Sequence, residues 1–319
     1  MPAPQLWKGV DMVDCEHWNI GGAESGLAVI SSCKQILNDL GLTNIKITIY
    51  DSHFGLIWSG GRPHSIAAGQ SKERFVALVQ RYNSMGVPFN LCFSNLLVEE
   101  KHLGDKRCNW VLEQCYREGN GVIVTSHVLA KYIRENFPDY RLIHSLTHFN
   151  LDPNYYYDHD SLYDVFVLPA NFNYEHETLR EFLTRLGPER IECIVNETCF
   201  RNCTNQKNHY GQISKSCING DWDLWERLVN NYCQAHHSER FMRMNDPREL
   251  LNEKTFTLNQ QEVNELKELG VINFKLGNRQ IPYQQYLKFI EYYILDRHNL
   301  LSTFTTYENY WKPLHQHHQ

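Results

Sequence analysis

The chain has 319 residues, 42% of them hydrophobic and 13% aromatic, enough for a substantial core and too apolar for a disordered chain. A formal net charge of -6 makes it a poor general phosphate binder, so charge gives no sign of nucleic-acid binding. No run approaches the roughly 18 consecutive apolar residues of a membrane helix, and MPAPQLWKGVDMVD lacks the basic-then-apolar pattern of a secretion signal. A cytoplasmic protein away from the membrane is expected. Its ten cysteines then read as core residues, metal ligands or catalytic thiols rather than disulfides.

Short β-branched or aromatic runs recur along the chain, each followed by a stretch of helical periodicity. LWKGVDMVD, residues 6–14, reads as the first strand. A helix is expected over 22–40, then the strand IKITIYD, ending at Asp51. The next helix, 71–85, has Ser71 as its N-cap and Gly86 as its stop. Strands VPFNLCFSN and GVIVTSH follow, ending at Asn95 and His127, with a helix over 128–136. RLIHSLT ends at Thr147 and YDVFVLPAN at Asn171. A helix over 175–186 stops at Gly187-Pro188, ahead of RIECIVNE, which ends at Glu197. About seventy residues then separate Glu197 from the strand VINFKL, with a helix over 259–269 just before that strand and an aromatic amphipathic helix over 283–297 after it.

Eight strands alternating with helices point to a parallel α/β fold, and eight is the count of a TIM-type (β/α)8 barrel. A doubly wound open sheet is the main alternative. The barrel is favoured because polar residues gather where the strands end: Asp51, Ser52, Asn95, Ser126, Ser145, Thr147, Asn171, Asn173, Asn196 and Glu197. In a barrel these ends meet on one face. A single domain over 1–300 is expected, with a cysteine-rich insertion over 198–258 between the last two strands and a tail over 301–319 that ends HQHHQ. GDWDLWERLVNNYC within the insertion reads as a short helix.

The insertion carries Cys199, Cys203, Cys217 and Cys233, spaced C-x3-C-x13-C-x15-C. Four thiolates can hold zinc or an iron–sulfur cluster. One close pair and two isolated cysteines fit a cluster better than the two close pairs of a zinc site. Zinc remains the alternative, and buried metal-free thiols the plainest one. Cys15, Cys33, Cys92, Cys108, Cys115 and Cys193 read mostly as core.

Other residues carry chemistry of their own. Glu197 ends a strand two residues before the first of these cysteines and is the acid/base candidate. His209 and Tyr210 lie inside the cysteine loop, placed to donate protons or to cover the metal. Arg62, in SHFGLIWSGGRPHS, is suited to a carboxylate or phosphate, or else lies on an exposed turn. Asn95 can contact substrate or cap the next helix, and Asn171 or Asn173 can face the barrel mouth toward substrate. Lys275 and Arg279 can hold an anionic substrate, and Lys275 can instead pair with Glu197 on a neighbouring strand. No H-E-x-x-H, no G-x-S-x-G and no legible Ser/His/Asp order is present, so a standard protease device is unsupported.

A strand ending in glutamate, a cysteine-rich interval, then Phe274, Lys275, Leu276, Gly277, Asn278 and Arg279 before the Tyr-rich QIPYQQYLKFIEYYI resemble the U32 peptidase, or collagenase-like, family. The matching family phrase is of the type F-K-I-E-G-R. The resemblance covers mainly residues 190–295. It implies a TIM barrel and a [4Fe–4S] cluster on Cys199, Cys203, Cys217 and Cys233, which match the family's ligands in order but not in spacing. It also implies oxygen-independent hydroxylation or a related redox modification of a small-molecule or nucleotide-like substrate. The glycine-rich segment that precedes the first family cysteine is replaced here by NET, so the substrate does not carry over, and neither the electron nor the oxygen donor is implied.

Overall fold

The computed structural model describes residues 15–53, 55–61, 71–201, 203–220, 248, 251, 255–277, 281–301, 311, 312 and 314. In chain order the elements are β1 (Glu16–Gly21), α1 (Ala23–Asp39), β2 (Ile45–Asp51), α2 (Lys72–Ser84), β3 (Phe89–Phe93), α3 (Lys106–Gln114), β4 (Gly121–Val124) and α4 (His127–Asn136). β5 (Arg141–His144), α5 (Pro153–Asp158), β6 (Val165–Leu168), α6 (His176–Leu186) and β7 (Ile191–Ile194) follow. The chain ends with β8 (Asn196–Phe200), α7 (Gln206–Asn219), β9 (Thr255–Thr257), α8 (Gln260–Glu268), β10 (Asn273–Leu276) and α9 (Tyr283–Ile290), which runs into a π-helical turn, Glu291–Asp296.

Eight parallel strands close a barrel in the order β1–β10–β7–β6–β5–β4–β3–β2. This is the expected (β/α)8 architecture. One face of each strand packs on the helices. Trp18, Ile20, Ile49, Phe89, Leu91, Leu142, Phe166 and Phe274 join the helix residues Val29, Ile36, Val79, Ile133 and Phe182 in one continuous core. Local signals agree with this plan. The Ser71 hydroxyl accepts the Arg74 N–H at 3.1 Å, and Asn259 with Glu262 forms a reciprocal capping box on α8.

Two features differ from the sequence reading. The first barrel strand is Glu16–Gly21, later than the 6–14 run, which lies outside the described residues. EHWNIG hides its strand character because two of its three inward positions, His17 and Asn19, are polar. The long interval after β7 opens as a second, antiparallel pair, in which Asn196 faces Thr257 and Glu197 faces Phe256. Leu258 N–H donates to Val195 O at 2.8 Å, so this ribbon stands on the end of β7 at the barrel mouth. The helix expected at GDWDLWERLVNNYC and the terminal HQHHQ lie outside the described residues. Within the expected tail, Trp311 and Leu314 are buried against the outer core.

Candidate functional site

The barrel interior has two chemically different sides. Cys92, Ile123, Ile143, Val165, Val167 and Ile194, from β3 to β7, make one side apolar. His17, Asn19, Thr48, Asn90, Glu192, Asn273 and Lys275, from β1, β2, β3, β7 and β10, make the other polar, and all seven are buried. Barrel interiors are ordinarily filled by branched aliphatic side chains. A buried charge there costs several kcal/mol before its partners are counted, so this side is the first place to look for function.

Glu192 is the hub. Lys275 Nζ donates to its Oε1 at 3.1 Å, and Asn19 Nδ2 donates to both carboxylate oxygens at 3.1 Å. Asn90 Nδ2 donates to Asn19 Oδ1 at 3.2 Å. Lys275 Nζ also lies 3.8 Å from the centre of the Tyr50 ring, a cation–π contact. The Lys275 pairing considered from the sequence is therefore made with Glu192, two strand positions below the mouth, and not with Glu197. Gly121 makes room for the network, since a Cβ there would stand 2.5 Å from Asn90 Oδ1.

Deeper in the same wall, Asn273 Nδ2 donates to Pro188 O and Ile191 O, which turns its Oδ1 toward His17 Nδ1 at 3.2 Å. His17 Nδ1 thus carries the hydrogen, and Nε2 accepts from Thr48 Oγ1 at 2.6 Å. Burial, then the nearby charge of Arg141, pushes the imidazole down to about 3, so it is neutral. Arg141 itself faces Glu192 electrostatically and donates through Nη2 to Glu189 O at 3.4 Å.

At the mouth, α7 packs across the apolar side. Its Tyr210, Ile213 and Cys217 join Tyr50, Cys92, Ile123 and Ile143 in a single cluster. Asn95 pins it there. Asn95 Nδ2 donates to Ile57 O at 2.7 Å and Ser214 O at 3.0 Å, while Oδ1 accepts Leu97 N–H at 2.8 Å. All its hydrogen-bonding groups are used by the protein, which makes Asn95 an anchor for the mouth helix. Replacing Asn95 with Ala is expected to cost about 1–3 kcal/mol. A urea midpoint that falls at unchanged m-value, with faster hydrogen exchange in α7, is the expected result.

Glu197 and Tyr210 do come together. Glu197 Oε1 accepts Cys199 N–H at 3.1 Å and Oε2 accepts the Tyr210 hydroxyl at 3.3 Å. His209 is half-buried, with its ring 6.0 Å from that of Tyr210. Asn171 and Asn173 lie on the 3-10 turn Ala170–Tyr174 after β6. Asn173 Nδ2 donates to Ile194 O at 2.8 Å, and the side-chain oxygens of Asn171 and Asn173 are buried without a hydrogen bond. Both oxygens can accept from a ligand N–H or O–H.

Cys199 lies on β8, Cys203 in the turn before α7, and Cys217 near the end of α7. Cys199 packs against the apolar cluster that contains Cys217. Among the described residues, no three His, Cys, Asp or Glu side chains are gathered so as to hold a metal ion. Cys233 lies outside the described residues, as do Arg62 and Arg279. The described thiols by themselves do not make a ligand set.

Sequence reasoning missed His17, Asn19, Asn90 and Glu192. The signal was present as a period of two: His17-x-Asn19, Asn90-x-Cys92, Glu192-x-Ile194 and Asn273-x-Lys275 place the alternate residues of four strands on one face.

The fold and this wall define a parallel (β/α)8 barrel with a charged interior and a helix-covered mouth. No protein-family model matches the sequence, and no curated protein matches it. A solved structure, the U32 peptidase Mk0906, matches with a TM-score of 0.53 at 14% identity, over 84% of this chain and 94% of that one. The chain is thus similar in fold to a U32 peptidase, at low sequence identity. Among the described residues, no helix is long and apolar enough to cross a membrane.

Proposed function

We propose that the protein is a barrel enzyme that binds a small or nucleotide-like polar substrate at the C-terminal mouth, above the Glu192–Lys275–Asn19 network. That network is the observation that carries the reading. It keeps a desolvated carboxylate and a desolvated ammonium under the face where barrel enzymes hold their substrates. Glu197, with Tyr210 donating to it, is the acid/base pair. The free amide oxygens of Asn171 and Asn173 orient the substrate, and Arg62 and Arg279 supply anion-binding charge.

The reaction class proposed is an oxygen-independent hydroxylation or related redox modification. A [4Fe–4S] cluster on Cys199, Cys203, Cys217 and Cys233 would supply the electron chemistry. Support for it is the cysteine order, the position of three of the thiols on the elements that cover the mouth, and the fold likeness. The test is the visible spectrum and metal content of protein purified without oxygen, alongside the four single Cys→Ala variants. A brown protein with about four irons per chain, bleached in each variant, is the expected outcome. An iron-free protein, or a spectrum unchanged in all four variants, sinks the cluster. A colourless protein with one zinc moves the chain to a non-redox barrel enzyme or a binding module with a structural zinc site. The acid/base role is tested separately by Glu197→Gln, which should lower turnover by roughly 10²–10⁴-fold once a substrate is in hand.

A further inference from the structure

Outside the barrel wall at β5, four histidines and two tyrosines form one packed group that the proposed reaction does not use. His127 opens α4, His144 ends β5, His148 ends the 3-10 turn Leu146–His148, and His159 follows α5. The rings of His127 and His159 stack 4.3 Å apart at 7°, and His148 stacks on Tyr155 at 4.5 Å and 9°. His144 lies 5.8 Å from His148 and 6.4 Å from His127. The Tyr155 hydroxyl bridges His127 Nε2 at 2.9 Å and His144 Nε2 at 3.1 Å. Tyr163 closes the other side, its hydroxyl 2.8 Å from His127 Nδ1, and His159 Nδ1 donates to Tyr155 O at 2.7 Å. His144 is fully buried, and neither its Nδ1 nor that of His148 has a partner.

Neutral imidazoles pack like any flat aromatic ring, whereas two imidazolium rings at these distances repel strongly in a poorly solvated site. The charges that face the group add to this. Lys131 of α4 faces His127, and Lys207 of α7 faces His148. Of the nearby carboxylates, Asp158 and Asp160 flank His159 along the chain, and Asp160 lies 3.9 Å from Arg190. Tyr155, Tyr156 and Tyr163 fill the remaining faces. Burial first, then the neighbouring histidines, holds His127 down to about 4 and pushes His144 below its ordinary range, and burial, then the charge of Lys207, lowers His148.

The group is joined to the mouth. Leu146, two residues before His148, packs in the cluster of Tyr210, Ile213 and Cys217 of α7. Thr147 Oγ1 lies 2.7 Å from Thr125 Oγ1 and donates to Ser94 O at 3.3 Å, which ties the turn to the ends of β3 and β4. We propose that the His127–His144–His148–His159 group is a proton-operated latch, which holds the 146–148 turn and α7 over the barrel mouth when neutral and loosens both when protonated. The sign follows from the lowered values. His127, His144 and His148 bind protons less readily folded than unfolded, so their contribution is complete above the ordinary histidine range near 6.5 and is lost as pH falls below it. The latch does not depend on which reaction the mouth performs.

Hydrogen exchange on the full chain, at about pH 7.5 and about pH 5 and corrected for the intrinsic rate, tests it. The expected result is exchange faster by on the order of tenfold at the lower pH in α7 and the 146–148 turn, with β1, α1 and β2 unchanged. His148→Asn combined with His159→Asn should remove that step. Should the double variant fail to fold, the wild-type histidine ring-proton NMR titration decides instead, with coupled titration of His127, His144 and His148 expected below pH 6.5. Equal protection at both pH values, a uniform loss over the whole barrel, an unaltered step in the double variant, or independent ordinary titrations of His127, His144 and His148 each overturn the proposal.

Discussion

Lys275→Met is expected to destabilise the protein by about 3–5 kcal/mol, the cost of taking from a buried carboxylate the cation hydrogen-bonded to it, with the Arg141 charge nearby making only part of the loss good. Glu192 is 2% exposed, so water cannot take the place of the lost ammonium, and the amide of Asn19 is its remaining hydrogen-bond partner. Glu192→Leu in the same background should recover much of the loss, because an apolar pair of similar volume carries no uncompensated charge. Urea denaturation of the two single variants and the double variant measures this as a double-mutant cycle. Additive single losses would show that the pair is not coupled and would remove the network from the proposed function. A double variant that is stable yet inactive would separate the functional use of the pair from its role in folding.

Glu16→Ala should be of similar size, at about 3–5 kcal/mol, and for a purely architectural reason. Glu16 is fully buried at the start of β1, at the opposite end of the barrel from the mouth. Its carboxylate accepts from Lys267 of α8 at 2.9 Å, from Trp18 Nε1 at 3.2 Å and from His298 Nε2 at 3.1 Å, and it is ion-paired with Arg297. One side chain thus ties β1 to α8 and to the turn after α9. Removal strands Arg297, whose side chain is 4% exposed. Burial alone would raise the carboxyl, but the His298 hydrogen bond and the Arg297 charge outweigh it and hold the group far below the usual carboxylate range. Its contribution is therefore complete above the ordinary carboxylate value near 4.5 and is lost as pH falls toward the depressed one. The variant should lose less stability than the wild type between pH 6 and pH 3, by part of the amount already missing at neutral pH. Parallel acid-side curves for the two proteins would show that Glu16 is not held as described.

Much of the barrel was legible from residues alone. IKITIYD, GVIVTSH and NFKL announce buried parallel strands by their apolar runs, and Ser71 and Asn259 announce helix starts that the structure shows capped. The meeting of Glu197 and Tyr210 was also within reach, since both lie within the stretch that follows β7. Glu192 was not, because within RIECIVNE it looks like a solvent-facing break in a strand. Its partners are 173 and 83 residues away in sequence, on strands brought beside it by closure of the barrel. The histidine latch was invisible for the same reason, its rings being supplied by four different elements.

The sequence by itself determined the alternation of strand and helix and the helix ends, because periodicity and capping are local properties of neighbouring residues, but it reached eight strands only by placing the first at 6–14 in place of Glu16–Gly21. Only the tertiary structure decided which side of the interior is polar, that Lys275 pairs with Glu192, and that Asn95 anchors α7 instead of standing open to a ligand. Those outcomes depend on strand register and on which side chains face one another across a closed sheet. Neither is written in any single stretch of chain, since each is set by the packing of all eight strands at once.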